Sequence, residues 1–583
     1  MTIEYTMIRD LAIISDRRSC ALLDKAGTIN WYCPERFDTQ AIFSSLLDNE
    51  KGGRWSVSAK DKVFLTRQFD GRSSVLYSCF SIGGKGLTIT DFMPFEEDFR
   101  GICRLFTNAP SVIENKISIR PDYGLIVEDY TIVSPVSIRL DKSGLYLHTS
   151  HPLKIDKDII HFDITAGESG WAYLGKANRI SEGNLRKLLQ NTLQKWDKLE
   201  MLVDYHGPYE NQVRYSLRSL QQMVYEPTGG IIAAATTSLP EVIGGERNYD
   251  YRYVWMRDAA LITSSLTQII TNGELEEKFI AFVSGAMEKN CEDHISCFYA
   301  VDQTKVSPEI REIPLNGYLQ SQPVQIGNSA ADQFQLDAEG NILIACSIIY
   351  QKSGKVIYWD TVEKIADYIC KNWERKDNGI WEEEQLQHYT SSKAFAARGL
   401  ELIAPYQKDR DIADRWLKNA AMIREFISKN CLTDSGAFAV YAGSEHVDLS
   451  AALFVPFGVY DVKNNNMLAT IQELEKNYCD EHLYRRHLLE FDSSKEGAFL
   501  AGSCWMAHYY AIAGDLQQCK KILDKVLIYS NDLGYFSEEA DLNTGGLLGN
   551  FPQTFVHSSF ICAVNGYKHA LEGNTIIIKP IKQ

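Results

Sequence analysis

No stretch of about 18 consecutive apolar residues occurs in the chain, so no membrane-spanning helix is expected. The N-terminus, MTIEYTMIRDLAIISDRRSC, carries acidic residues early and lacks a long apolar segment, so no secretory leader is read there. Basic blocks are missing too. Against 60 Lys and Arg stand 76 Asp and Glu, a net charge of −16 that repels phosphate backbones and disfavours nucleic acid as a partner. The 13 cysteines form no CxxC pair and no recurrent Cys/His spacing, so reduced thiols in a cytoplasmic protein are expected and a structural zinc site is not. Neither GxSxG nor HExxH occurs, and the glycine pairs Gly244-Gly245 and Gly545-Gly546 lack the context of a phosphate loop.

What remains is a large, ring-rich globular chain. At 583 residues it is too long for one ordinary core, so two domains or one very large helical domain are expected. Its 45% hydrophobic and 23% charged residues are those of a soluble globular protein. Aromatics reach 11%, with 30 Tyr and 10 Trp, which suits carbohydrate stacking and large cores alike.

The first third reads as β. CALLDKAGTINWYC holds two apolar runs around a turn, and KVFLTRQFDGRSSVLYSCFSIGGKGLTITDFM holds three runs punctuated by Asp70-Gly71 and Gly83-Gly84. Short strands with regular turn signals predict an all-β sandwich over residues 1–178. SEGNLRKLLQNTLQKWDKLEML then has Leu and Trp at helical spacing behind Ser181, which predicts a linker helix within 179–205. From 206 to 583 the apolar period is mostly helical, with space for about a dozen helices and no short repeat. Periodicity alone leaves a closed ring of helical hairpins and other bundles open.

Three segments crowd polar groups beside rings. GGERNYDYRYVWMRDAALITSSL sets Tyr249, Tyr251, Tyr253 and Trp255 at alternate positions before Arg257 and Asp258. Rings with a fixed Arg/Asp fork suit a flat, hydroxyl-rich ligand such as a sugar; a packed corner with a satisfied ion pair would read the same. NGIWEEEQLQHYTSSK places Glu382, Glu383 and Glu384 after Trp381, which also reads as an acidic helix start favoured by the helix dipole. GYFSEEADLNTGGLLGNFPQTFVHSS carries Glu538 and Glu539 before a Gly-rich turn, with His557 following. Its Asp541, Asn543 and Gly545 fall short of a calcium loop, and a tight turn is expected. Two carboxylates from distant loops beside rings are the equipment of glycoside hydrolysis, in which one carboxyl protonates the leaving oxygen and a second activates water or attacks the anomeric carbon.

On these residues the chain resembles glycoside hydrolase family 15, the glucoamylases, glucodextranases and microbial trehalases. IRDLAIISDRRSCALLDKAGTINWYCPERFD, GGIIAAATTSLPEVIGGERNYDYRYVWMRDAAL, PVQIGNSAADQFQLDAEG, DNGIWEEE, HYTSSKA, KEGAFLAGSCW and SEEADLNTGGLLGNFPQTFVHSS follow in the family's order along nearly the whole chain. The resemblance implies an N-terminal β-supersandwich, a C-terminal (α/α)6 barrel and inverting exo-hydrolysis of α-glucosides with no metal or cofactor. It implies Glu382 as general acid and Glu538 as general base. Arg257 and Asp258 would grip hydroxyls of the terminal glucose, Tyr251 would sit by the anomeric centre, and Trp255 and Trp381 would line the pocket. The acid needs a raised pKa, which neighbouring Glu383, Glu384 and the Trp381 ring would supply; the base must stay ionised. Tyr249, Val254 and Met256 depart from the family's usual Trp, Cys and Leu, and none of them touches the acid, the base or the Arg/Asp pair.

The reading this supports is a glucoamylase-like enzyme releasing β-glucose from α-glucans or malto-oligosaccharides. The alternative is an α,α-trehalase with the same terminal-glucose site. A phosphorylase would need no second carboxylate, and a silent sugar-binding protein would need neither. Oligomeric state and chain-length preference stay open at this stage.

Overall fold

The computed structural model describes residues 5–200, 203–270, 273–489 and 495–575. Up to Gly175 the chain builds two eight-stranded antiparallel sheets. The first runs in the order Ala12–Ser15, Cys20–Leu23, Ile29–Tyr32, Arg54–Ser58, Ile113–Ser118, Ile159–Ile164, Lys154–Asp156, with Phe43–Ser44 beside Ile29–Tyr32. The second runs Tyr130–Ser134, Ser137–Leu140, Tyr146–Thr149, Gly170–Gly175, Gly101–Phe106, Lys85–Phe92, Leu76–Ile82, Lys62–Phe69. Leu76–Ile82 alternates buried and half-buried residues, the period of a strand with one face in the core. Ala12–Ser15, Cys20–Leu23 and Ile29–Tyr32 are instead buried at every position, and the helical half of the chain reaches this end of the sheet. There Gln222 donates to the Ile13 carbonyl at 3.0 Å, and Arg67 pairs with Asp532 at 2.6 Å.

Twelve α-helices lie among the described residues. Helix α1 (Glu182–Glu200) packs Leu185 and Leu188 on Val75, Phe92 and Tyr173 of the sandwich. The others are α2 (Glu210–Gln222), α3 (Met256–Leu266), α4 (Glu274–Lys289), α5 (Leu336–Ser353), α6 (Trp359–Asn372), α7 (Thr390–Ile403), α8 (Arg410–Asn430), α9 (Asn465–Asn477), α10 (Leu500–Ala513), α11 (Leu516–Ile528) and α12 (Thr554–Leu571). Helices α3, α5, α7, α10 and α12 form an inner ring in which α12 returns to α3. The remaining inner position is held by a 3-10 turn, Leu449–Leu453, lying against α10. Helices α2, α4, α6, α8, α9 and α11 lie outside. This is an (α/α)6 barrel behind a β-sandwich, the fold class that the resemblance implied.

Burial follows position in the ring. Every residue of α3 is buried, while α6 buries only Thr361, Val362, Ile365, Ala366 and Ile369. Inner helices touch closely: a Cβ on Gly340 of α5 would come within 2.5 Å of the Phe395 backbone in α7. No described helix is long and apolar enough to cross a membrane.

Candidate active site

The loops at one end of the barrel enclose a cavity of about 670 Å³. Residues Tyr249 to Trp255 form one wall as an extended stretch. The carbonyls of Tyr249, Tyr251 and Tyr253 accept from the amides of Ser238, Ala234 and Ala233 at 2.9, 2.9 and 3.0 Å. Alternation then separates the side chains by face. On one face Tyr249 stacks on Tyr251 at 6.2 Å, and Tyr251 meets Trp255 edge-on at 6.1 Å. On the other, Asp250 and Arg252 form a fully buried ion pair at 2.7 Å. Arg252 also donates to the Thr39 carbonyl at 2.9 Å and lies over the Trp31 and Tyr123 rings of the sandwich. One face is thus a packed corner with a satisfied ion pair, and the other brings Tyr249, Tyr251 and Trp255 to the cavity wall.

Arg257 stands on the first turn of α3 with every terminal nitrogen engaged. It donates to Asp258 Oδ1 at 3.0 Å, to Gln335 Oε1 at 3.1 Å, to the Ile380 carbonyl at 2.9 Å and to Glu382 Oε1 at 3.0 Å. Glu382 is not on a helix. It sits in a turn with φ 63°, a left-handed conformation uncommon for a non-glycine residue and one that collects at functional sites. The acidic-helix reading of Glu382 to Glu384 is thereby corrected. The turn gives the three carboxylates separate surroundings: Glu382 meets Arg257, buried Glu383 accepts from the Leu489 amide at 2.8 Å, and Glu384 is exposed. Burial pushes the Glu382 carboxyl up, Arg257 pulls it back and Asp258 adds to the rise. Asp258, on the same guanidinium, is thus a neighbouring carboxylate that raises it. Trp381 stacks on Trp505 at 6.1 Å and meets Phe499 edge-on at 5.5 Å.

Across the cavity, Glu538 precedes the short strand Glu539–Ala540, which pairs with Ala498–Phe499 and Leu547–Leu548. Gly549, at φ 76°, makes room for it: a Cβ there would lie 2.8 Å from Glu538 Cβ and 3.0 Å from its Oε2. That Oε2 is buried without a hydrogen-bond partner among the described residues. Behind Glu538 lies a cluster centred on Arg486, which pairs with Glu241 at 2.7 Å, Glu496 at 2.7 Å and Glu539 at 3.2 Å. Arg247 adds a second guanidinium on Glu241 at 2.8 Å, and the Tyr251 hydroxyl donates to Glu241 at 3.3 Å. Burial pushes Glu538 well above the ordinary carboxylate range, Glu241, Glu496 and Glu382 push it further, and Arg486 opposes them. In this site Glu382 has the cationic partner, and burial pushes both carboxyls up.

All seven residues singled out in the sequence, Glu382, Glu538, Tyr251, Trp255, Arg257, Asp258 and Trp381, line this one cavity. Sequence reasoning missed Glu241, Arg486 and Glu496. Glu496 lay inside a quoted block, KEGAF, but Arg486 lay in none, and only the fold brings it 2.7 Å from Glu241, 245 positions away. His557 stays outside the cavity, buried, with its imidazole pushed down to about 3 and its ring nitrogens against Ser216 and the Phe536 amide. Asp541 caps a tight turn by accepting from the Asn543 and Thr544 amides, as expected.

The family model described as glycosyl hydrolases family 15 matches residues 207–526 and 516–565, and one described as trehalase-like, N-terminal, matches 3–173. A protein named trehalase from Thermoplasma volcanium is 31% identical, over 98% of this chain and 95% of its own length. Another, trehalase 1 from Sulfolobus acidocaldarius, is 29% identical over 96% of this chain and 99% of its own. Among solved structures, a bacterial glucoamylase complexed with acarbose superposes with a TM-score of 0.70 at 13% identity, covering 98% of this chain and 95% of that one. That last likeness is one of fold.

Proposed function

This chain belongs to glycosyl hydrolase family 15 and is a glycoside hydrolase; from that premise we propose that it hydrolyses α,α-trehalose to two glucoses with inversion. The observation that carries the substrate is the likeness, over both halves of the chain, to proteins named trehalase. The cavity supports the chemistry, because two carboxylates, half-buried Glu382 and buried Glu538, line it together with an Arg/Asp pair and a wall of rings. This reading takes the place of the α-glucan substrate expected from the sequence.

One glucose ring sits between Tyr251, Trp255 and Trp381, with its hydroxyls on Arg257 and Asp258. When Arg257 turns to those hydroxyls, Glu382 loses its cationic partner. Burial and Asp258 then hold a proton on it, as an acid catalyst requires. Glu382 gives that proton to the oxygen between the rings as the bond from that oxygen to the bound ring's anomeric carbon breaks. Glu538 takes a proton from water, and the resulting hydroxide oxygen bonds to that carbon from the opposite face. A raised pKa makes Glu538 a stronger base, and Arg486 keeps the rise in check. The bound ring leaves as β-glucose and the other as α-glucose.

Proton NMR of the protein acting on trehalose and maltotriose together tests this. Equal early amounts of α- and β-glucose, with maltotriose intact, are expected. Consumption of maltotriose with trehalose untouched would return the substrate to malto-oligosaccharide, and early α-glucose alone would exclude inversion.

A further inference from the structure

The β-sandwich is left open at one corner. Tyr130–Ser134 is the edge strand of the second sheet, and Lys154–Asp156 the edge strand of the first. Residues directly opposite in an antiparallel pair share a face. Ile132 stands opposite Ile138, and Ile155 opposite Ile160; Ile138 and Ile160 are buried in the core. Their edge counterparts belong to the same inner faces, yet Ile132 is 72% exposed and Ile155 36%. The two edges are adjacent, since the Tyr130 hydroxyl donates to the Asp158 carbonyl at 3.3 Å and the Leu153 amide to the Pro135 carbonyl at 2.8 Å. Leu125, Val127, Val133 and Ile159, in or close in sequence to these edge strands, are exposed as well.

We propose that a second copy of this chain docks here, with the two Tyr130–Ser134 strands pairing antiparallel across a two-fold axis. An edge strand presents unpaired backbone donors and acceptors and is guarded by charge or proline where pairing is to be avoided. Tyr130–Ser134 has neither, only a register shift between Ile132 and Ser134, whereas the opposite edge, Lys62–Phe69, carries Lys62 and Arg67, the latter tied to Asp532. Antiparallel pairing of a strand with its own copy is self-complementary, which is what a two-fold interface needs. The net charge of −16 opposes self-association in general. Beside this strand, however, Asp129 is matched by Lys142 at 3.0 Å and Asp141 by Arg139 at 3.8 Å, so two copies meet over a locally balanced surface. The exposed apolar side chains offer on the order of 500 Å² per copy. Two copies would then bury about 1,000 Å² from these residues alone, the area a specific interface has to reach.

Sedimentation velocity of the full chain from about 1 to about 100 μM should show a species of twice the 66.0 kDa chain mass. Ile132→Lys should abolish it while leaving turnover on the sugar unchanged. Hydrogen exchange of the unmodified protein gives a second readout that needs no variant. The amides of residues 130–134 should exchange at least about tenfold more slowly at the high concentration than at the low one. A protein that stays monomeric throughout, or a dimer that survives Ile132→Lys with no added protection at 130–134, overturns the proposal.

Discussion

Replacing Glu339 by Gln should stabilise the protein, and by an amount that grows with pH. Glu339 lies in the first turn of α5, buried, and neither of its carboxylate oxygens has a hydrogen-bond partner among the described residues. Burial, with Asp337 and Asp377 adding to it, pushes its carboxyl up to about 8 from an ordinary 4.5. The sign follows from proton counts. Between these two values the unfolded chain has released the proton and the folded chain has kept it, so raising the pH favours unfolding. Each pH unit in that window costs about 1.4 kcal/mol, so from pH 5 to pH 7 the wild type loses roughly 3 kcal/mol through this one group. Gln has the same shape and no proton to lose. Urea denaturation of Glu339→Gln and wild type at pH 5 and pH 7 should show a stability difference that moves in favour of the variant by about that amount. Comparing two pH values cancels any fixed cost of the amide. A difference that does not change with pH would show that Glu339 is ionised in the fold and would refute the reasoning.

The site yields further expectations. Glu382→Gln and Glu538→Gln should each lower kcat on trehalose by roughly 10²–10⁴-fold, the usual worth of a positioned acid or base, and near-normal turnover would remove the residue from that role. Arg486→Met removes the cation that holds Glu538 down, so the acidic limb of the kcat/KM profile should move to higher pH; an unmoved limb would separate Arg486 from the base. Gly549→Ala forces a Cβ against Glu538 in a left-handed conformation. It should lower kcat more than it raises KM, measured by initial rates, and an unaltered kcat would mean that Glu538 tolerates displacement.

The sequence carried the outline well because long amphipathic helices and short alternating strands both have a period that shows in the residues. The period is weakest in inner helices such as α3, α5 and α12, which are buried on nearly every side and have little polar face to alternate with the apolar one. The residues lining the cavity were legible as types, carboxylates and rings beside an Arg/Asp pair, because hydrolysis needs those types. Their ionisation was not. It depends on Arg257 reaching Glu382 across 125 positions and Arg486 reaching Glu539 across 53, contacts with no local signature. The left-handed turn at Glu382 was equally hidden, since nothing in a run of three glutamates announces it.

The extended stretch from Tyr249 to Trp255 has a consequence for how this protein can change. Tyr249, Tyr251 and Trp255 line the cavity, while Asp250 and Arg252 on the even side anchor the barrel to the β-sandwich. An insertion or deletion of one residue within it would exchange the two sets, turning a salt bridge into the cavity and rings into the domain seam. Substrate preference along this wall can therefore drift only by side-chain replacement at fixed length. A barrel expressed without its sandwich would leave Arg252 without Thr39, Trp31 and Tyr123 directly behind the rings. The N-terminal half is thus part of the wall's foundation, although its sheets lie outside the cavity.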